Sequence, residues 1–209
     1  MTEQRQWTFP LPEQKVDFVF MAVDVIKHTD MLKEARDESN TAFRSVDVAL
    51  SDLPDHISEC IEWYHPGLRW DWAGDGGIYA FPVTYDRRDT LNVYEYVIRC
   101  AETIVNRLDE FNVRHQRTTR PVKLRIAFDA GDAVYRKDQA FCRGLALNIA
   151  AKLKVADDEN SIAITSNLYR EFRAIPSLKN CFVPITAGES PDARNLCTFT
   201  ATSPNGVSR

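Results

Sequence analysis

The run Val16-Asp17-Phe18-Val19-Phe20-Met21-Ala22-Val23-Asp24-Val25 limits the fold more than any other stretch of this chain. It is almost continuously apolar and rich in β-branched and aromatic residues, the pattern of a buried central strand. It also ends on an acid. Burying Asp24 as an uncompensated anion is costly, so the strand end needs a cation, a hydrogen-bond donor or solvent.

A second strand signal follows at residues 70–81, where two aromatic-rich apolar arms flank Gly74-Asp75-Gly76-Gly77. This is the composition of a tight β-hairpin, with glycines supplying positive φ at little steric cost. Asp75 at such a tip is either a turn residue or a carboxylate held out for a metal. The hairpin alone leaves both open.

The remaining pattern alternates helices with strands. Residues 28–53 carry apolar residues at three- and four-residue spacing, with Asp30 and the 37–40 segment placed to interrupt or cap helices. Pro54 predicts a break before a second short helix over 55–64. Leu91 to Leu108 repeats apolar residues on one helical face, with Asp89 or Thr90 as N-cap. Residues 122–134 predict a strand pair turning at Ala130-Gly131-Asp132, and 144–155 predict a compact helix. A short strand at 161–165 precedes a helix capped by Ser166 or Asn167 and reaching Phe172, and 181–185 pair with 196–200 as a final hairpin. The expected fold class is α+β, with a mostly antiparallel sheet covered by helices and a ferredoxin-like start. An N-terminal arm (1–15), a single domain (16–202) and a disordered tail (203–209) complete the expectation.

Composition narrows the function. A chain of 209 residues builds one sizeable core, and a net charge of −4 gives no general electrostatic case for nucleic-acid binding. The five cysteines are scattered without a CxxC pair, and the four histidines form no ligand-spaced cluster. No apolar run reaches the roughly 20 residues that span a bilayer. A reduced, cytoplasmic protein without membrane or nucleic-acid partners is expected.

Five segments, in order, resemble the class III nucleotide cyclase catalytic domain. Residues 20–29 resemble its first strand, with a metal-binding Asp and a following Phe-Thr. Ala73-Gly74-Asp75-Gly76 resembles the hairpin carrying the second metal-binding Asp. Residues 123–131 resemble the strand that usually ends in His-Ser/Thr-Gly, 144–153 the Gly-Asn-x-Val-Asn-x-Ala-x-Arg helix, and 161–166 the Ile-x-Ile/Val-Ser strand. The resemblance covers about Val16 to Thr200. It implies that Asp24, Asp75 and the backbone carbonyl of Val25 hold Mg²⁺ or Mn²⁺, two ions per active site. It further implies that Asn148 and Lys152, four apart on one helix face, orient the ribose and stabilise charge on the transferring phosphate. Lys152 stands where the family usually has Arg; it keeps the charge and loses the bidentate fork. The resemblance also implies that Arg194, just before the last strand, contacts the terminal phosphates.

Two further positions in the family read the base, and here they hold Asp71 and Phe141. They match neither the Lys with Asp or Thr of adenylate cyclases nor the Glu with Cys or a small residue of guanylate cyclases. An aspartate accepts from an amine or ring N–H, and a phenylalanine offers a wall that favours a smaller base. The pattern is similar to the stand-alone pyrimidine cyclases of bacterial Pycsar antiphage systems. That implies cyclisation of UTP, ahead of CTP, into a messenger for a separate cyclic-nucleotide-responsive effector, by a homodimer with shared active sites. The alternatives are an adenylate or guanylate cyclase, and a non-catalytic nucleotide-binding homologue. A diguanylate-cyclase-like palm lacks its second hairpin acid here, and a ferredoxin-like RNA-binding module would need a basic-aromatic strand.

Overall fold

The computed structural model describes residues 14–62, 68–83, 87–116, 118, 120–136, 141–143, 161–178, 182–185 and 198–201. The apolar run forms β1 (Gln14–Val25), which begins two residues inside the expected arm. The other strands are β2 (Leu68–Ala73), β3 (Gly76–Pro82), β4 (Leu124–Arg136), β5 (Phe141–Arg143), β6 (Ser161–Ile164), β7 (Phe182–Ile185) and β8 (Thr198–Ala201). The helices are α1 (His28–Glu38), α2 (Asn40–Glu62), α3 (Arg87–Arg114) and α4 (Ser166–Phe172). The expected arm up to residue 13, the helix at 144–155 and the tail lie outside the described residues.

All the strands belong to one sheet in the order β2-β3-β1-β4-β6-β8-β7, with β5 also pairing β4. Among these pairs only β4 with β6 is parallel. This is the mostly antiparallel α+β sheet expected from the sequence. β1 is central, flanked by β3 and β4, and its alternation separates two faces. Val19, Met21, Val23 and Val25 join the core under α1, α2 and α3. Phe18 and Phe20 are buried on the opposite face, which Asp24 shares at the strand end.

Four local expectations are corrected. Pro54 lies inside α2 rather than ending a helix. A proline costs about 3 kcal/mol in a helix interior. The buried stripe Ala42, Val46, Ala49, Leu53, Ile57, Cys60 and Ile61 runs straight through it. Burial at about 1.5–3 kcal/mol per large apolar side chain makes continuing the helix the better solution. The break falls instead at Ser39, whose Oγ accepts from Ala42 N at 3.0 Å.

Second, Ala130-Gly131-Asp132 does not turn. Residues 124–136 form one strand, because β1 pairs with them without interruption from Val25 opposite Leu124 to Gln14 opposite Tyr135. β4 is longer than any strand on its other flank, so β6 pairs with residues 125–128 and β5 with 134–136. Third, Thr165 rather than Ser166 or Asn167 caps α4, its hydroxyl accepting from Leu168 N. Fourth, α3 begins at Arg87, ahead of the expected caps Asp89 and Thr90.

Candidate active site

The hairpin and the end of β1 are tied together by backbone. Gly74 turns at φ +64°, and the Asp75 carbonyl accepts from Val25 N at 2.8 Å. In register, Asp24 faces Gly76 on β3. A Cβ on Gly76 would stand 2.6 Å from the Val23 carbonyl oxygen, so only glycine permits this approach. Gly77 lies beneath the Trp72 ring, where a Cβ would meet ring carbon at 2.2 Å. These contacts bring Asp75, exposed at the tip, beside Asp24 and Val25. Val25 buries its side chain in the core, so only its backbone belongs to the site.

Beyond Val25 the chain enters α1 through Lys27, whose φ of 57° is left-handed, a conformation that costs a residue with a Cβ about 1–2 kcal/mol. On the other flank of β1, Asp24 faces Arg125 of β4. Arg125 donates from Nε to Asp24 Oδ2 at 3.0 Å and from a terminal nitrogen to the same oxygen. The Asp24 side chain is 40% exposed, so the pair is worth on the order of 1 kcal/mol or less. Arg125 is the site residue that sequence reasoning missed. Its polar position in an alternating strand was legible; the register that sets it against Asp24 was not.

Further along the same face of β4, Asp129 is buried. Its Oδ1 accepts from Thr165 Oγ1 at 2.5 Å and from Ala130 N at 2.9 Å. Burial pushes its carboxyl above the usual range, an effect that these two bonds reduce.

Of the residues expected from sequence, Asp24, Val25 and Asp75 come together. Asp71 is on β2, opposite Ile78 and just past a register shift following Arg69. Phe141 is on β5, opposite Arg136. That is eleven residues along β4 from the partner of Asp24, on the order of 35 Å of strand. Asn148, Lys152 and Arg194 lie outside the described residues.

Two carboxylates and a backbone carbonyl are a hard-oxygen donor set. Among the described residues, no group of three or more His, Cys, Asp or Glu side chains gathers to hold a metal. Mg²⁺ is commonly held by one or two carboxylates together with substrate phosphates, and Asp24 and Asp75 are the carboxylates here that could hold such an ion.

The fold is shared with solved nucleotide cyclases. The adenylyl cyclase CyaB from P. aeruginosa superposes with a TM-score of 0.68 at 16% identity, covering 92% of this chain and 97% of that one. The guanylyl cyclase Cya2 gives 0.67 at 14% identity, covering 95% and 99%. The adenylate/guanylate cyclase/hydrolase from Silicibacter pomeroyi gives 0.61 at 16% identity, covering 91% and 98%. No family model matches the sequence, and no curated protein matches it. The α+β class III cyclase fold therefore stands on architecture, at identities where sequence comparison is silent. Among the described residues, no helix is long and apolar enough to cross a membrane.

Proposed function

We propose that residues 16–202 form a nucleotide cyclase catalytic domain. It converts a nucleoside triphosphate to its 3′,5′-cyclic monophosphate and pyrophosphate. The observation carrying this reading is the placement of Asp24 and Asp75 at one corner of a cyclase fold, joined by the bond from Val25 N to the Asp75 carbonyl. In the reaction the substrate's 3′-oxygen gives its proton to solvent and attacks the α-phosphorus, and the bond from that phosphorus to the α–β bridging oxygen breaks, releasing pyrophosphate. Positioning and charge neutralisation supply most of the acceleration in such transfers.

Asp24, Asp75 and the Val25 carbonyl would hold two Mg²⁺ or Mn²⁺ ions. When bound, such ions activate the attacking oxygen and neutralise charge on the leaving phosphates. Asn148 orients the ribose, Lys152 stabilises the transferring phosphate, and Arg194 contacts the terminal phosphates. The Phe141 position favours a homodimer: it lies on β5, paired with the end of β4 remote from Asp24, so a pocket using both draws them from different copies.

For the base, Asp71 as acceptor and Phe141 as wall favour a pyrimidine, UTP ahead of CTP. The product would then act through a separate effector in antiphage defence, in the cytoplasm. Adenylate or guanylate cyclase activity is the second reading, favoured by the functions named for the structural neighbours. Incubating the purified protein with Mn²⁺ and each of the four nucleoside triphosphates decides between them. Cyclic UMP as the main product is expected. Dominant cyclic AMP or cyclic GMP sinks the pyrimidine reading, and nucleotide binding without pyrophosphate release leaves a non-catalytic homologue.

A further inference from the structure

Asp24 stands between two different neighbours. On one flank β3 sets Gly76 beside it, next to Asp75; on the other, β4 sets Arg125. Both N–H bonds that Arg125 gives to Asp24 converge on Oδ2. The arginine side chain is only 22% exposed, so it is held in the wall of the site rather than trailing in solvent. A guanidinium does not shed its proton in a protein, and this positive charge leaves Asp24 only by moving.

We propose that Arg125 is a resident counter-ion competing with the divalent metal for Asp24, so that loading the site exchanges one cation for another. The inference rests on reading Asp24 and Asp75 as the metal ligands. A metal bound at about 2.0–2.1 Å from a carboxylate oxygen stands a few ångströms from any guanidinium on the same carboxylate. The two positive charges repel. The metal also has to be shared with Asp75, on the flank opposite Arg125, so binding turns Asp24 from its β4 neighbour toward its β3 neighbour. Before a metal arrives, the arginine neutralises one of the two carboxylates at this corner of the sheet. The exchange lowers the affinity of the protein for free metal ions, because each binding event first breaks an existing pair.

The test is a calorimetric titration of Mn²⁺ into the full chain without nucleotide. Wild type is compared with Arg125→Gln and Arg125→Lys, and circular dichroism verifies the fold of each. Arg125→Gln is expected to bind Mn²⁺ about fivefold more tightly, matching removal of a pair worth about 1 kcal/mol. Arg125→Lys falls between, and adding Asp24→Asn abolishes the gain. Unchanged or weaker binding by folded Arg125→Gln overturns the exchange, as does binding by neither protein.

If the glutamine variant does not fold, wild type decides the matter through the ¹⁵N-detected side-chain signal of Arg125. The Nε–H resonance should leave its hydrogen-bonded position as Mg²⁺ saturates the site, and a resonance unmoved at saturation refutes the proposal. These readouts are independent of turnover. Cyclisation with unchanged Mn²⁺ affinity removes the exchange and leaves the cyclase reading, whereas tighter binding without cyclisation does the reverse.

Discussion

Asp129 carries a carboxyl group to a place that water scarcely reaches, 2% exposed beneath Thr165. Its folded pKa is raised above the ordinary 3.8, so over the interval between the two values the folded state holds more proton than the unfolded chain. Stability therefore falls as pH rises from about 3.8 through the raised value, and the loss persists at neutral pH. Asn in the same shape keeps an Oδ1 that accepts from Thr165 and Ala130 and has no charge to desolvate. Asp129→Asn should accordingly flatten this part of the pH–stability curve. Urea midpoints between pH 4 and 7 measure it; a variant falling as steeply as wild type contradicts the assignment. None of this was legible in sequence, where Asp129 was only the polar end of an alternating strand. Its hydroxyl partner comes from a parallel neighbour thirty-six positions away. Asp24 was more legible, because an acid closing an apolar strand announces a need for compensation. The compensator, Arg125, required knowledge of strand register.

Among the elements, the β2–β3 hairpin was read correctly because its glycines are local signals, sufficient to predict a turn. Sequence did not show that Gly76 is also required by β1. Gly76→Ala forces a Cβ to 2.6 Å from the Val23 carbonyl oxygen, and something must shift. We expect a loss of about 1–3 kcal/mol in unfolding free energy, together with displacement of Asp75 and weakened Mn²⁺ binding. Gly74→Ala meets nothing within 4 Å and pays only for its left-handed φ, about 1–2 kcal/mol. Equal Mn²⁺ affinity in the two variants would show that the close approach does not position the acid. β4 and α2 were misread for the opposite reason: Gly131 and Pro54 are local breakers overruled by long-range partners. A twelve-residue strand holds the first straight, and a continuous apolar stripe carries the helix through the second.

At the scale of the whole molecule, β4 separates the two halves of the proposed site. Its first turns of pleat face Asp24, and its last residues pair with the strand bearing Phe141. Two copies sharing sites would rejoin them. Asp75→Ala and Lys152→Ala should each be inactive alone. Mixed in equal amounts, they should recover up to about a quarter of wild-type turnover, since random pairing makes half the dimers mixed and each of those has one intact site of two. No recovery, with mixed dimers shown to form, would argue for sites within one chain. The experiment needs an Asp75→Ala protein that still folds, and the hairpin provides for that. Gly74, Gly76 and Gly77 are each pinned by backbone geometry or a neighbouring group, whereas the Asp75 side chain is exposed at the tip and its carbonyl, not its carboxylate, ties the turn to Val25. Architecture thus rests on the glycines and one carbonyl, and the proposed chemistry on one exposed carboxylate of the same four residues, so Asp75→Ala should edit the scaffold silently and, on the proposed function, give an inert twin of the protein for use as a control or a decoy.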